Sequence, residues 1–454
     1  MPFGRPVLVL ALIAVAAGIV VAIRPAPART DLTLWVSADQ HARLYRAGPL
    51  DDFTRSTGKT VRLDLIAPAA LDVRLLSLLM TTAGGTSVES APDLVELDLG
   101  SVGKFLRPPV DRVGLLPLND YLRRSGWDRR LVRSRLTPWS KDGVVFGIPH
   151  DLHPCTFTYR KDLFDQAGVD LESAGTWDEL ARRCRLFQRY WQAHGIPRAA
   201  VGFSSTNPDT LMVLLQQQRI DLVDSDGTIH LADPAVVKTL AWYAAVVAGP
   251  DSIAADFNPS PGRNAADLSD GSICGLITPD WMIGDLKRFG PGLSGKLHMI
   301  PLPRFNPTDA PTTAWGGTMI GILRSSKHPD EAWKLIERLY LTPRVDAADQ
   351  IITDILPPVP EFWPDPAYHR PDEFFGGQKI DELYLSLAEQ IPPRTMTPYT
   401  TTAQTFLTLA LNDVVGHVRR DGTAGVEAYC RAALEVARGR LERLVAFDRQ
   451  GQGK

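Results

Sequence analysis

The chain is poor in cysteine, with four in 454 residues and no C-x-x-C spacing. That count excludes a scaffold built on disulfides. It also lacks an excess of either charge: Lys+Arg is 49, Asp+Glu is 52 and the net charge is −3. A general nucleic-acid binder would be basic, so that class is demoted. No internal repeat and no low-complexity tract is present. Enzyme signatures are missing as well: no Walker-type phosphate loop, no H-E-x-x-H and no G-x-S-x-G elbow. Ser56-x-x-Lys59 and Ser101-x-x-Lys104 have S-x-x-K spacing, but no S-D-N or K-T-G accompanies them. A glycosidase carboxylate pair is neither seen nor excluded, because separation in space decides it. Long hydrophobic runs are absent too, save one near the N-terminus.

What is present is ordinary globular composition, 44% hydrophobic and 22% charged, which excludes wholesale disorder. The length allows about three domains or two large ones. The 36 Pro and 36 Gly suit a loop-rich, mixed topology better than a helical bundle. The exceptional run is Val7–Ile23, preceded by Arg5, stopped by Arg24 and followed by the small-x-small site Ala26-Pro27-Ala28. This order predicts a secretory signal in residues 1–28. At 17 residues the run is at the short edge of a bilayer span, so an uncleaved anchor is the rival to cleavage. No Cys lies near the run's end, which excludes a bacterial lipoprotein anchor. The expected location is periplasmic or extracytoplasmic, with the segment as signal or tether.

The remainder alternates strands and helices. Leu32–Val36 reads as a strand, Asp39 to Thr57 as a helix ended by Gly58, and Val61–Ile66 as a strand of period two. Helix Leu71–Met80 and strand Leu94–Leu99 follow. This alternation predicts an α/β protein with a largely parallel sheet. Thr176-Trp177-Asp178-Glu179 is a capping box opening a helix to Gln192. Pro234 and Pro329 start further helices, to Val247 and Tyr340. Ile273–Ile277, Leu297–Pro303 and Met319–Leu323 read as strands, with Trp281 in the loop after the first. Residues 353–398 read as irregular, and two helices, about 400–419 and 423–445, close the chain. Cys184, Cys274 and Cys430 lie on apolar stripes and read as core thiols. Cys155 lies at the end of a proline-bracketed connector.

That connector is His150-Asp151-Leu152-His153, between Pro149 and Pro154. Proline fixes φ, so the segment is extended and stiff. His150 and Asp151 then face opposite sides, a poor arrangement for chelating one ion, which needs three or four convergent ligands. No metal and no cofactor is expected. Arginines 123, 124, 129, 130, 133 and 135 form a basic run that reads as a solvated helix face or a docking face.

These landmarks have a familiar order. They are Trp35 ending the first strand, Phe53 before Gly58, Pro92-Asp93-Leu94-Val95 and Gly114-Leu115-Leu116-Pro117-Leu118. Gly147-Ile148-Pro149, Tyr159 to Phe164, Ala167-Gly168 and Thr176 to Leu180 follow. Trp281, Pro301-Leu302-Pro303, Gly316-Gly317 and Ala332-Trp333 complete the set. Over about residues 31 to 446 the chain resembles the extracellular solute-binding proteins of ABC sugar importers, the maltose-binding-protein-like family 1. The family often has Asn at the position of Arg160, a change that sits beside the expected site.

The resemblance implies a type II periplasmic-binding-protein fold: two α/β lobes, an interlobe cleft and a hinge of crossing strands. Lobe one would hold 31–149 plus 300–352, and lobe two 150–299 plus 353–447. The implied function is capture of a saccharide and its delivery to ABC transporter permease subunits, by a monomer and without catalysis. An exported carbohydrate-active enzyme is one alternative; a binder of a polyamine, glycerophosphodiester or metal is the other. By matching positions, Trp281 and then Trp315 would stack on sugar faces, with Gly316 and Gly317 admitting backbone N–H groups. Asp39, Gln40, Asp98, Ser101, Asp151, His153 and Asp209 would bind hydroxyls, although aspartates after strands also serve as helix caps.

Overall fold

The computed structural model describes residues 30–83, 88, 91–257, 260–343 and 355–452; the expected signal in 1–28 lies outside them. Among the described residues, no helix is long and apolar enough to cross a membrane.

The first sheet has the order β2-β1-β3-β12-β6, where β1 is Leu32–Val36, β2 Val61–Leu65, β3 Leu94–Asp98, β6 Ile148–Pro149 and β12 Thr318–Ile322. β1 runs parallel to β2 and β3, whereas β12 is antiparallel to both β3 and β6. The central strands are buried on both faces, so apolar residues do not alternate with polar ones, and β3 carries one buried charge, Glu96. Val95, Leu97 and Met319 enter one core cluster, and Leu94, Ile320 and Ile322 enter the other. Helix Pro329–Tyr340 lays Ala332, Trp333, Leu335, Ile336, Leu339 and Tyr340 on this sheet. That is the stripe its spacing predicts.

The second sheet departs from the expectation of parallel strands. β7 (Cys155–Arg160) is central and antiparallel to β10 (Gly275–Pro279) and β11 (Leu297–Pro301). β10 and β11 therefore run parallel to each other, joined through helix Trp281–Phe289, with β7 inserted between them. A periodicity argument sees the crossover helix but not the inserted strand. All six residues of β7 are buried. The C-terminal helices Thr400–Asp421 and Val426–Gln452 pack into the same core as β7, through Leu407, Leu411, Val414, Leu434 and Leu441.

Three segments cross between the two sheets. Residues 150–154 join β6 to β7, residues 302–317 join β11 to β12, and residues 355–359 return after the Pro329–Tyr340 helix. They bond side by side: Trp315 N–H donates to His153 O at 3.2 Å, Cys155 N–H to Thr313 O at 2.9 Å, and Leu152 N–H to Leu356 O at 3.1 Å. The proline-stiffened character expected of 149–154 extends to the third segment, which carries Pro357 and Pro358.

Two local expectations are corrected. The helix read over Asp39–Thr57 is two, Asp39–Arg46 and Pro49–Thr57, because Gly48-Pro49 interrupts the hydrogen-bond ladder. The stretch read as irregular, 353–398, contains helix Ile380–Ala388, whose Tyr384 and Leu387 reach the core. Thr176 caps its helix as predicted, accepting from Glu179 N–H at 3.2 Å. All four cysteines are buried and free. Burial pushes each thiol upward, away from the reactive thiolate.

Candidate functional site

The carboxyl end of β3, the start of β12 and the first crossing segment meet at one place. Open α/β sheets put their ligands beyond the carboxyl ends of strands. Asp98, the last residue of β3, pairs in register with Thr318. It caps nothing with its side chain. Burial, aided by the negative charge of Glu96, raises its carboxyl above the ordinary range.

Beside it, Asp151 is fully buried yet ionised. Arg135 Nη2 donates to its Oδ1 at 3.1 Å, and His153 Nε2 lies 3.0 Å from its Oδ2. The Thr318 N–H and Oγ1 donate to Oδ2 at 3.3 and 3.2 Å. Burial alone would raise this carboxyl. The His153 cation, hydrogen bonds from His150 and His153, and the Arg135 charge outweigh it and hold the group well below the carboxylate range. His153 is pulled down by burial but pushed further up by Asp151 and Asp280, to about 9. The chain thus places alternating charges in a row: Arg135, Asp151, His153 and Asp280.

Asp280 connects this row to the aromatic pair. Its Oδ1 is 2.6 Å from His153 Nδ1 and accepts the Trp281 N–H at 2.8 Å. Trp281 is therefore the first residue of helix Trp281–Phe289, capped by Asp280, and not a loop residue as expected. The segment Pro279-Asp280-Trp281 carried the signal, an aspartate before a helical stripe. Trp281 Nε1 donates to Trp315 O at 3.0 Å, and the rings meet edge to face with centroids 6.3 Å apart. Both rings are half-buried. Gly316 lies against them: a Cβ there would sit 3.5 Å from Trp281 Nε1 and 3.7 Å from His153 Cδ2. Gly317 has φ +137°, and a Cβ would come within 2.4 Å of Arg135 Nη2. Only glycine lets the backbone pass this guanidinium.

The structure thus brings together Trp281, Trp315, Gly316, Gly317, Asp98, Asp151 and His153. Asp151 and His153 lie inside the wall, bonded on all sides, rather than on an open surface. Asp209 opens helix Asp209–Gln217 and is half-buried. Burial raises its carboxyl while Arg394 pulls it down. Burial lowers Arg394 to about 10, opposed by the charge of Asp221 and, more weakly, of Asp209, while Arg135 adds to the lowering. Gln216, with its amide oriented to donate to Ala314 O at 3.1 Å, accepts from Arg394 at 3.0 Å.

The other three expected residues do not join the group. Asp39 and Gln40 are exposed, and Asp39 pairs with Arg43 one turn along its helix. The inward residues of that helix are His41 and Tyr45, which bond buried Glu96 at 3.2 and 2.5 Å, with Tyr340 OH at 2.6 Å on the same carboxylate. Ser101 donates to Asp72 at 2.7 Å, beside Lys104 on the same oxygen. His150 turns to the Glu96 side, its ring 4.0 Å from that of His41.

Arg160 also moves. It ends the six-residue strand β7 that Cys155 begins, and there it holds Asp162 and the Leu268 carbonyl. It is thus at the opposite end of β7 from the crossing segment. Arg135, Asp280 and Arg394 were not anticipated. The rest of the basic run does lie at the surface, with Arg130 stacked on Trp127 and paired with Glu361. Arg135 alone turns inward, and neither its neighbours nor its spacing marks it.

Comparisons with known proteins bear on the family and the fold. The sequence model of the bacterial extracellular solute-binding proteins matches residues 19–376. The arabinooligosaccharide-binding protein of Halalkalibacterium halodurans is 23% identical over 396 residues, 85% of each chain. Among solved structures, the sugar-binding protein MalE of Xanthomonas citri superposes with a TM-score of 0.68 at 21% identity, over 90% of this chain and 99% of its own. The galacto-N-biose-/lacto-N-biose I-binding protein of Bifidobacterium longum, in complex with lacto-N-biose, superposes with a TM-score of 0.67 at 17% identity, over 91% and 99%. The fold is the two-lobe α/β fold of the periplasmic binding proteins, and the chain belongs to the bacterial extracellular solute-binding protein family.

Proposed function

We propose that the protein captures a saccharide between its lobes and delivers it, unchanged, to the membrane subunits of an ABC importer. The observation that carries this reading is the half-buried Trp281–Trp315 pair at the crossing of the lobes, beside Gly316 and the carboxyl of Asp98. Aromatic faces cover the apolar side of a pyranose or furanose, and planar polar groups bind its hydroxyls. Relatives named for arabinooligosaccharides and lactose, and neighbours solved with sugars, support the ligand class. Arg394 and Asp209 are further candidate contacts, Arg394 being tied through Gln216 to the Ala314 carbonyl beside Trp315. Ligand stabilises the closed form only through contacts absent when the lobes are apart.

A thermal-shift screen of arabinotriose, maltose, lactose, polyols and glycerophosphodiesters tests the reading, because a ligand of the native state raises the melting point. Trp281→Ala should weaken binding of a hit by about 1–3 kcal/mol, roughly 5- to 150-fold. Since Trp281 also packs on the core of its helix, some loss of urea midpoint should accompany it. Unchanged affinity would remove Trp281 from the ligand surface. Prolonged incubation should return the sugar intact; turnover abolished by changing one carboxylate would establish the enzyme instead.

We further propose that Val7–Ile23 directs export. Deleting residues 1–28 should leave a folded protein in the cytoplasmic fraction; continued export of that variant would overturn this assignment.

A further inference from the structure

The three segments that cross between the lobes are tied together at one imidazole. His153 Nε2 lies 3.0 Å from Asp151 Oδ2, and Nδ1 lies 2.6 Å from Asp280 Oδ1. Ionised carboxylates only accept, so a ring set between two of them is best matched as the imidazolium, with a proton on each nitrogen. Asp151 passes the tie to the second segment through Thr318. Asp280 passes it to the third, its Oδ2 accepting the Leu356 N–H at 3.0 Å. Asp280 and His153 itself reach the two tryptophans. Asp280 caps the Trp281 helix, and the His153 carbonyl accepts the Trp315 N–H.

The backbone at His153 is itself unusual, with φ +53°. A non-glycine residue in the left-handed region persists only where its surroundings over-determine it. Here the surroundings are the two carboxylates on the ring and the Trp315 N–H on the carbonyl.

We propose that His153 is a positioning residue for the cleft: as a cation it holds the Trp281 and Trp315 main chains in register, and loss of its proton releases them. The proposal rests on the reading that these tryptophans face the ligand. The neutral ring would present a bare nitrogen to a carboxylate. It would also leave two buried carboxylates against the single Arg135 cation, an arrangement that low dielectric penalises heavily.

The charged and titratable groups facing the ring are few. Asp151 comes from its own segment, Asp280 from the Trp281 helix, and Arg135, through Asp151, from helix Arg133–Leu136. His150 and Asp98 lie beside Asp151. Cys155 and Tyr384 lie behind Asp280, and burial pushes both upward, away from the range in which His153 releases its proton. The folded-state value of His153 is raised to about 9 from 6.5. Its contribution is therefore complete below pH 6.5 and is lost as pH rises through about 9.

The test uses the ligand-free protein first. The tryptophan emission of the wild type, less that of Trp281→Phe, should change with a midpoint near pH 9, and His153→Gln should show no such step. Calorimetric titration with arabinotriose should then show affinity falling about tenfold between pH 7 and pH 10 in the wild type, since protonation and ligand binding are reciprocally linked. In His153→Gln affinity should be weaker at pH 7 and flat across that range. If His153→Gln does not fold, the wild-type step and its dependence on Trp281 still decide. A wild type without the step, or a variant that keeps it, overturns the proposal. PH-independent arabinotriose binding overturns it while leaving the saccharide reading intact. Absence of binding at every pH, with the step present, leaves the positioning role standing and counts against the saccharide.

Discussion

Replacing Asp151 by alanine should lower the free energy of unfolding by about 3–5 kcal/mol, the usual consequence of removing one member of a buried charge pair. The variant strands two cations. Arg135 is 2% exposed and cannot shed its proton. Its Nε also holds the Asp151 carbonyl at 3.1 Å, so it has nowhere else to turn. His153 loses one of its two carboxylates, and Thr318 loses the acceptor of both its N–H and its hydroxyl. Urea unfolding at pH 7 measures the loss. Asp39→Ala is the control, an aspartate just past a strand that pairs only at the surface, and it should be nearly silent because exposed pairs contribute little. Equal effects of the two substitutions would contradict the buried row of charges.

Gly103→Val should hold the lobes apart. Gly103 lies in helix Leu99–Phe105, which packs on the first sheet. The facing segment leads into helix Thr400–Asp421, which packs on the second. A Cβ at 103 would fall 2.3 Å from the Thr397 carbonyl oxygen, a backbone atom that a rotamer change cannot move. One turn earlier, Thr401 Oγ1 donates to Gly100 O at 2.9 Å, so the wedge breaks a hydrogen bond as well. If closure is needed for tight binding, affinity for a saccharide hit should fall on the order of 100-fold, because the closed form becomes a minor population. Small-angle scattering with saturating ligand should show a larger radius of gyration than the wild type. Unchanged scattering and unchanged affinity would mean that this contact plays no part in closure.

The contrast between Asp39 and Asp151 shows where reading the chain stops. Both are aspartates at the end of a strand, and both are plausible on the same grounds. One is solvated and the other is fully buried between two cations. The difference comes from partners that are remote along the chain: 16 residues separate Asp151 from Arg135, and 127 separate His153 from Asp280. Arg394 and Asp209, remote along the chain, likewise feel each other's charge.

What the residues specify by themselves is local. The apolar runs of β3 and β12, the stripe of Pro329–Tyr340 and the Thr176 cap are written within a few positions of each other, because helix and strand periods act over one or two turns. The break at Gly48-Pro49 was written there too. The order of landmarks along the chain is also legible there, and the family resemblance it carries implied two lobes and the glycine-tryptophan corner. Which aspartate is buried, which arginine of a basic run turns inward, and that β7 is inserted between β10 and β11 are decided only by packing. Those outcomes depend on desolvation and on charges supplied from distant segments, quantities that exist only once the sheets and crossing segments have come together.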